Sequence, residues 1–77
     1  MDKYIEQIKN AKTKEELHQI SYNFTLNEKC TILSKEQNLI DGLCVFKELL
    51  LDGADKNTLN QCSKSLRLPK NITNRIL

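Results

Sequence analysis

The sequence predicts an all-α domain: four to five short helices around one central apolar helix, closing in a C-terminal helix-turn-helix. Three observations carry that expectation. Twelve Leu and seven Ile stand against one Val, two Gly and one Pro, a bias toward helix and away from strand. Two segments read as capping boxes, Thr13-Lys14-Glu15-Glu16 and Ser34-Lys35-Glu36-Gln37, each pairing a hydroxyl residue with Glu or Gln three positions on. Between such signals the apolar residues recur at spacings of three and four, the period of a helix with one buried face.

The elements follow in order. Tyr4, Ile5 and Ile8 form a stripe on a first helix near residues 2–10. The first capping box opens a second helix near 14–24, with Leu17, Ile20 and Phe24 on its inner face. The stretch 27–31 is read either as loop or as a short turn that holds Cys30 and Ile32 against the core. The second capping box opens the central helix, 35–51, where Leu39, Leu43, Phe46 and Leu50 share a face. Ile40, Cys44, Val45, Leu49 and Leu51 widen its apolar girth, and Gly42 marks a point of close helix approach at a cost of about 1 kcal/mol against alanine. A helix apolar over so much of its surface needs cover on more than one side. Either four short helices wrap around it, or a second copy pairs with it through Leu39, Leu43, Phe46 and Leu50 as a homodimer.

Gly53 is placed to end that helix at positive φ, and Asp55 or Asn57 to cap the next, near 57–66. Leu59, Cys62 and Leu66 face inward there. Leu68 follows, also inward, then Pro69 at a first helical position, then a last helix near 70–77 with Ile72 and Ile76 inward.

Seventy-seven residues hold one small domain with a thin core. The longest apolar run, Leu49-Leu50-Leu51, is far short of a membrane span. Three widely spaced cysteines without a CxxC pair, and no signal-like apolar run, point to buried thiols in a reducing cytoplasm rather than a disulfide scaffold. His18 is the only histidine and reads as an ion-pair partner of Glu15 one turn away. No phosphate loop, metalloprotease pattern or calcium loop occurs, so neither enzymatic activity nor a cofactor or metal is expected.

Charge is distributed unevenly. Residues 1–55 carry seven Lys against ten acidic residues, a net of -3, and form an acidic body with the expected dimerisation region. Residues 56–77 carry Lys56, Lys64, Arg67, Lys70 and Arg75 and no acid, a net of +5. Such polarity marks the C-terminal segment as the surface for a polyanion. The same segment has the layout of a helix-turn-helix, with Ser63 small where the second helix crosses. It departs from that layout twice: Arg67 stands where glycine is common in the turn, and Thr73 where a branched apolar residue is usual.

From Leu33 onward the order Leu-Ser-Lys-Glu-Gln, an apolar helix ending Lys47-Glu48-Leu49-Leu50-Leu51-Asp52-Gly53, and a helix-turn-helix containing Ile72-Thr73-Asn74-Arg75 resembles the tryptophan-repressor superfamily. The resemblance covers residues 33–77. It implies that Glu48, Leu49 and Leu50 end the central helix and that Gly53 is the hinge before the reader. It further implies that Asn71 to Arg75 lie on a recognition helix and that N-terminal helices interlock across a dimer. The family repressor has an arginine near the middle of its central helix, where this chain has Leu43-Cys44-Val45, so tryptophan binding is not implied.

The resulting expectation is a small transcriptional regulator that binds double-stranded DNA. Lys70, Asn71 and Asn74 are expected to face the groove, with Lys64, Arg67 and Arg75 near phosphates. The alternative from the same residues is a helical protein-binding inhibitor, antirepressor or assembly adaptor whose basic face meets an acidic protein.

Overall fold

The computed structural model describes residues 2–27 and 34–77. Thr13 Oγ1 accepts a hydrogen bond from the Glu16 amide at 3.2 Å, and Glu16 Oε2 accepts from the Lys12 amide at 2.8 Å. This is the first capping box, its return bond taken one residue earlier than the usual pattern. It separates α1 (Asp2–Asn10) from α2 (Lys14–Asn27). Next come α3 (Ser34–Leu51), α4 (Lys56–Ser65) and α5 (Lys70–Ile76), with no strand among the described residues. The all-helical expectation holds, with boundaries within one residue of those read from the sequence except at the end of α2.

α2 runs three residues past Phe24 because its last turn has partners elsewhere. Thr25 Oγ1 donates to the Ser21 carbonyl at 3.1 Å and to Gln37 Oε1 of α3 at 3.2 Å. Ser21 Oγ donates to Asp41 Oδ1 at 2.8 Å, an oxygen that also accepts from Gln37 Nε2 at 3.0 Å. Gln37, expected as a capping-box residue, thus ties α3 to α2. The side chain of Ser34, Cys30 and Ile32 all lie outside the described residues.

Both helix stops near the C-terminal third have one geometry. At the end of α3 the Gly53 amide donates to the Leu50 carbonyl and the Ala54 amide to that of Leu49, with Gly53 at φ 84°. At the end of α4 the Arg67 amide donates to Lys64 and the Leu68 amide to Ser63, with Arg67 at φ 55°. Each is a Schellman turn, and the second is built without glycine. It corrects one inward assignment: Leu66 is the residue ahead of the left-handed position and stays 44% exposed, while Leu68 turns into the core. Asp55, not Asn57, caps α4, its Oδ1 accepting from the Thr58 amide at 2.8 Å. Pro69 stands at the N-cap of α5, one position before the expected one, and offers no side-chain cap.

The core gathers the expected stripes: Tyr4, Ile5 and Ile8; Leu17, Ile20 and Phe24; Ile40, Leu43, Cys44 and Phe46; then Leu59, Leu68 and Ile76. Tyr4 meets Phe24 edge-on, with ring centroids 4.9 Å apart, a geometry worth about 1 kcal/mol beyond burial. α3 is central, packing on α1, α2 and α4, whereas α5 packs on α1. A Cβ added at Gly42 would come within 2.8 Å of a Leu68 methyl, which is the close approach read from the sequence. The radius of gyration, 11.7 Å, is that of a compact chain of this length.

Two buried polar residues complete the interior. Thr73, a departure from the apolar pattern, is buried and donates its hydroxyl to the Lys70 carbonyl at 3.1 Å. Lys47 is also buried, and its Nζ donates to the Lys9 carbonyl at 3.0 Å. An ammonium at the C-terminal end of α1 meets the negative end of that helix, which offsets its desolvation.

Candidate nucleic-acid interface

The basic C-terminal segment folds into two helices with separate anchors, so a cleft of about 590 Å³ opens between them. α4 contributes Asn60, Ser63 and Lys64 to its walls, the turn contributes Arg67 and Leu68, and α5 contributes Lys70 and Asn74. Asn60, Ser63, Lys64 and Arg67 recur at three, four and seven residues, one face of α4 and its extension. Lys70 and Asn74 lie four apart on the flank of α5 that looks toward α4. Leu68 closes the floor.

Four of the six residues expected at a DNA surface therefore converge: Lys64, Arg67, Lys70 and Asn74. Among the described residues no carboxylate pairs with Lys64, Arg67 or Lys70. Asn71 is exposed on α5 outside the cleft lining. Arg75 is turned to the opposite flank, where its Nη2 donates to Glu6 Oε1 of α1 at 3.0 Å. The inward side of α5 is Ile72, Thr73 and Ile76. Periodicity thus placed Asn71 and Asn74 outward correctly, but Glu6, with which Arg75 pairs, lies 69 residues away in sequence and left no local trace. Asn60 was also missed, although its spacing from Ser63, Lys64 and Arg67 was available.

The four residues expected at a dimer interface divide. Leu43 and Phe46 are buried in the chain's own core, while Leu39 and Leu50 are half-buried and pack against that core. Val45, Leu51 and Leu66 are exposed, and Val45 and Leu66 line a shallow groove between α3 and the α4–α5 turn.

Other groups have structural surroundings. Cys44 donates through Sγ to the Leu17 carbonyl at 3.6 Å, and burial, followed by the nearby Asp41 and Glu48 charges, pushes its thiol up to about 12. Burial raises the Cys62 thiol as well. Neither thiol is activated as a nucleophile. His18 faces Glu48 of α3 at 3.5 Å, not Glu15 as the spacing had suggested. Lys14, paired with Asp52 at 3.0 Å, has its pKa raised by that hydrogen bond and charge. No cluster of three His, Cys, Asp or Glu able to hold a metal occurs among the described residues. Among the same residues no helix is long and apolar enough to cross a membrane.

A second groove, of about 430 Å³ between α1 and α2, is lined by Glu6 and Glu16 with amides and carries no lysine or arginine. Of these two grooves, the α4–α5 cleft has the charge to attract an anion. No family model, curated protein or solved structure matches the chain.

Proposed function

We propose that the chain binds double-stranded DNA through α4 and α5 and acts as a small transcriptional regulator. The observation that carries this is the convergence of Lys64, Arg67, Lys70 and Asn74 in one acid-free cleft. Phosphates meet Lys64, Arg67 and Lys70, and the exposed amides of Asn71 and Asn74 on α5 face base edges, where asparagine pairs with adenine. The resemblance of residues 33–77 to the tryptophan-repressor superfamily supports the same assignment of α5 as the reader.

A seven-residue reader spans only about 10 Å. Two copies on one duplex would supply the contact area that one lacks. With Leu43 and Phe46 committed to the core, a homodimer would use Leu39, Val45, Leu50 and Leu66. Sedimentation of the complex should then show two chains per duplex, and one chain per duplex would remove the dimer.

Fluorescence anisotropy with random and genomic duplexes at low salt tests the function. Affinity should fall with salt, and Lys64→Ala should weaken all duplexes alike while reducing the log–log slope by roughly 0.9. Asn71→Ala should instead cost preference, about 1–3 kcal/mol at a site with a bidentate contact. Absence of binding to any duplex at about 100 µM protein, the weak end of non-specific affinity, would refute this reading. Protein binding would then take its place, favoured by Tyr22 and Leu26, which lie four residues apart on the outer face of α2 at 59% and 53% exposure.

A further inference from the structure

We propose that the α4–α5 cleft is a binding site for linked phosphate groups, a chemistry shared by a nucleic-acid backbone and a free oligophosphate. The proposal deepens the DNA reading, because both use the cations of the cleft. Contact with the groove of a duplex requires a convex helix face, which α5 supplies with the exposed Asn71, while Asn74 stands at the rim shared with the cleft. It does not require a concavity behind that face. The cleft is nonetheless present, at about 590 Å³, with three cations and no carboxylate on its walls. Its two walls are anchored separately, α4 on α3 and α5 on α1, so the space does not depend on one helix moving off the other.

The lining chemistry selects the ligand. Arg67 offers a planar fork that grips two oxygens of one phosphate, and Lys64 and Lys70 add two point charges. Ser63 and the amides of Asn60 and Asn74 are neutral donors for the remaining oxygens. A single phosphate monoester carries about two negative charges at neutral pH, fewer than the three cations. Linked phosphates carry more negative charge than one monoester and so engage all three cations. Asn60 and Ser63 thereby become binding residues of α4, and a free oligophosphate becomes a competitor of DNA for the same cations.

The test uses the full chain with sodium tripolyphosphate, read by thermal unfolding, against sodium chloride at matched ionic strength. Tripolyphosphate should raise the unfolding temperature where chloride does not, and it should displace a fluorescent duplex. Asn60→Ala and Ser63→Ala change no charge, the first at an exposed and the second at a half-buried position of α4. Each should weaken tripolyphosphate several-fold while remaining folded by circular dichroism. Equal responses to tripolyphosphate and chloride, or wild-type tripolyphosphate binding by the combined Asn60→Ala, Ser63→Ala variant, would overturn the proposal. A chain that binds duplex but not tripolyphosphate refutes the cleft and keeps the DNA reading. One that binds tripolyphosphate but no duplex keeps the cleft and refutes the DNA reading.

Discussion

Arg67 holds φ at 55°, a region that costs an L residue roughly 1–2 kcal/mol. The other Schellman turn of the chain puts Gly53 at the equivalent position, with open space around it. The same backbone device is thus built once with the inexpensive residue and once with a strained, exposed cation. Strain kept at a position where its relief is a single substitution away points to the side chain's use, and Arg67 lines the cleft. Arg67→Gly should therefore stabilise the fold by about 1 kcal/mol in urea denaturation. In the same variant, duplex affinity should fall and the salt slope should shrink by roughly 0.9. A variant that is less stable than the parent would show instead that the arginine side chain holds the turn.

At the scale of the element, the start of α4 carries a pH dependence. The Thr58 amide donating to Asp55 holds that carboxyl below its ordinary value of 3.8, so the folded chain prefers the ionised cap. A depressed folded pKa adds stability in full above 3.8, and that stability is lost as the pH falls through the lower folded value. Asp55→Asn keeps an acceptor at the cap without a proton to gain. Unfolding temperatures should therefore separate on acidification, the parent losing stability below pH 4 that Asp55→Asn retains. Parallel curves would mean that the carboxylate is not the cap. Such starts and stops were legible because they are local: Thr13 with Glu16, Asp55 with Thr58, and Gly53 all act within one or two turns. What could not be read depended on distant partners. The last turn of α2 is held by Gln37 of α3, and Lys47 is buried because the end of α1 lies over it. Lys47 did leave a trace, since it stands four residues after Leu43 on the apolar arc, but its charge argues for the surface until the Lys9 carbonyl is in view. Leu66 and Leu68 were both expected inward, and only Leu68 is, because the turn between them reverses which side chain faces in.

Across the whole molecule, the division between an acidic body and a basic end is crossed at one point that matters for α5. Glu6 of α1 and Arg75 of α5 pair at 3.0 Å with half-exposed side chains, an arrangement worth little to stability because solvent screens it. Its consequence is electrostatic: α5 has a basic flank toward α4 and a neutralised flank toward α1. A duplex laid on α5 would place its nearer phosphates over the α4 side, and Arg75 would reach a phosphate only by giving up Glu6 among its contacts. Arginine grips a phosphate in a bidentate fork, so removing the competing carboxylate should favour that exchange. Glu6→Gln should therefore raise affinity for every duplex and steepen the salt dependence by roughly 0.9 in log–log slope, one additional phosphate contact. Arg75→Ala in the Glu6→Gln background should return the slope to that of the parent chain. Affinity that falls in Glu6→Gln, with the fold intact by circular dichroism, would show that the ion pair orients α5 for reading instead of restraining Arg75. An unchanged slope would show that removing Glu6 does not by itself bring Arg75 to a phosphate, leaving Lys64, Arg67 and Lys70 to carry the phosphates in this variant.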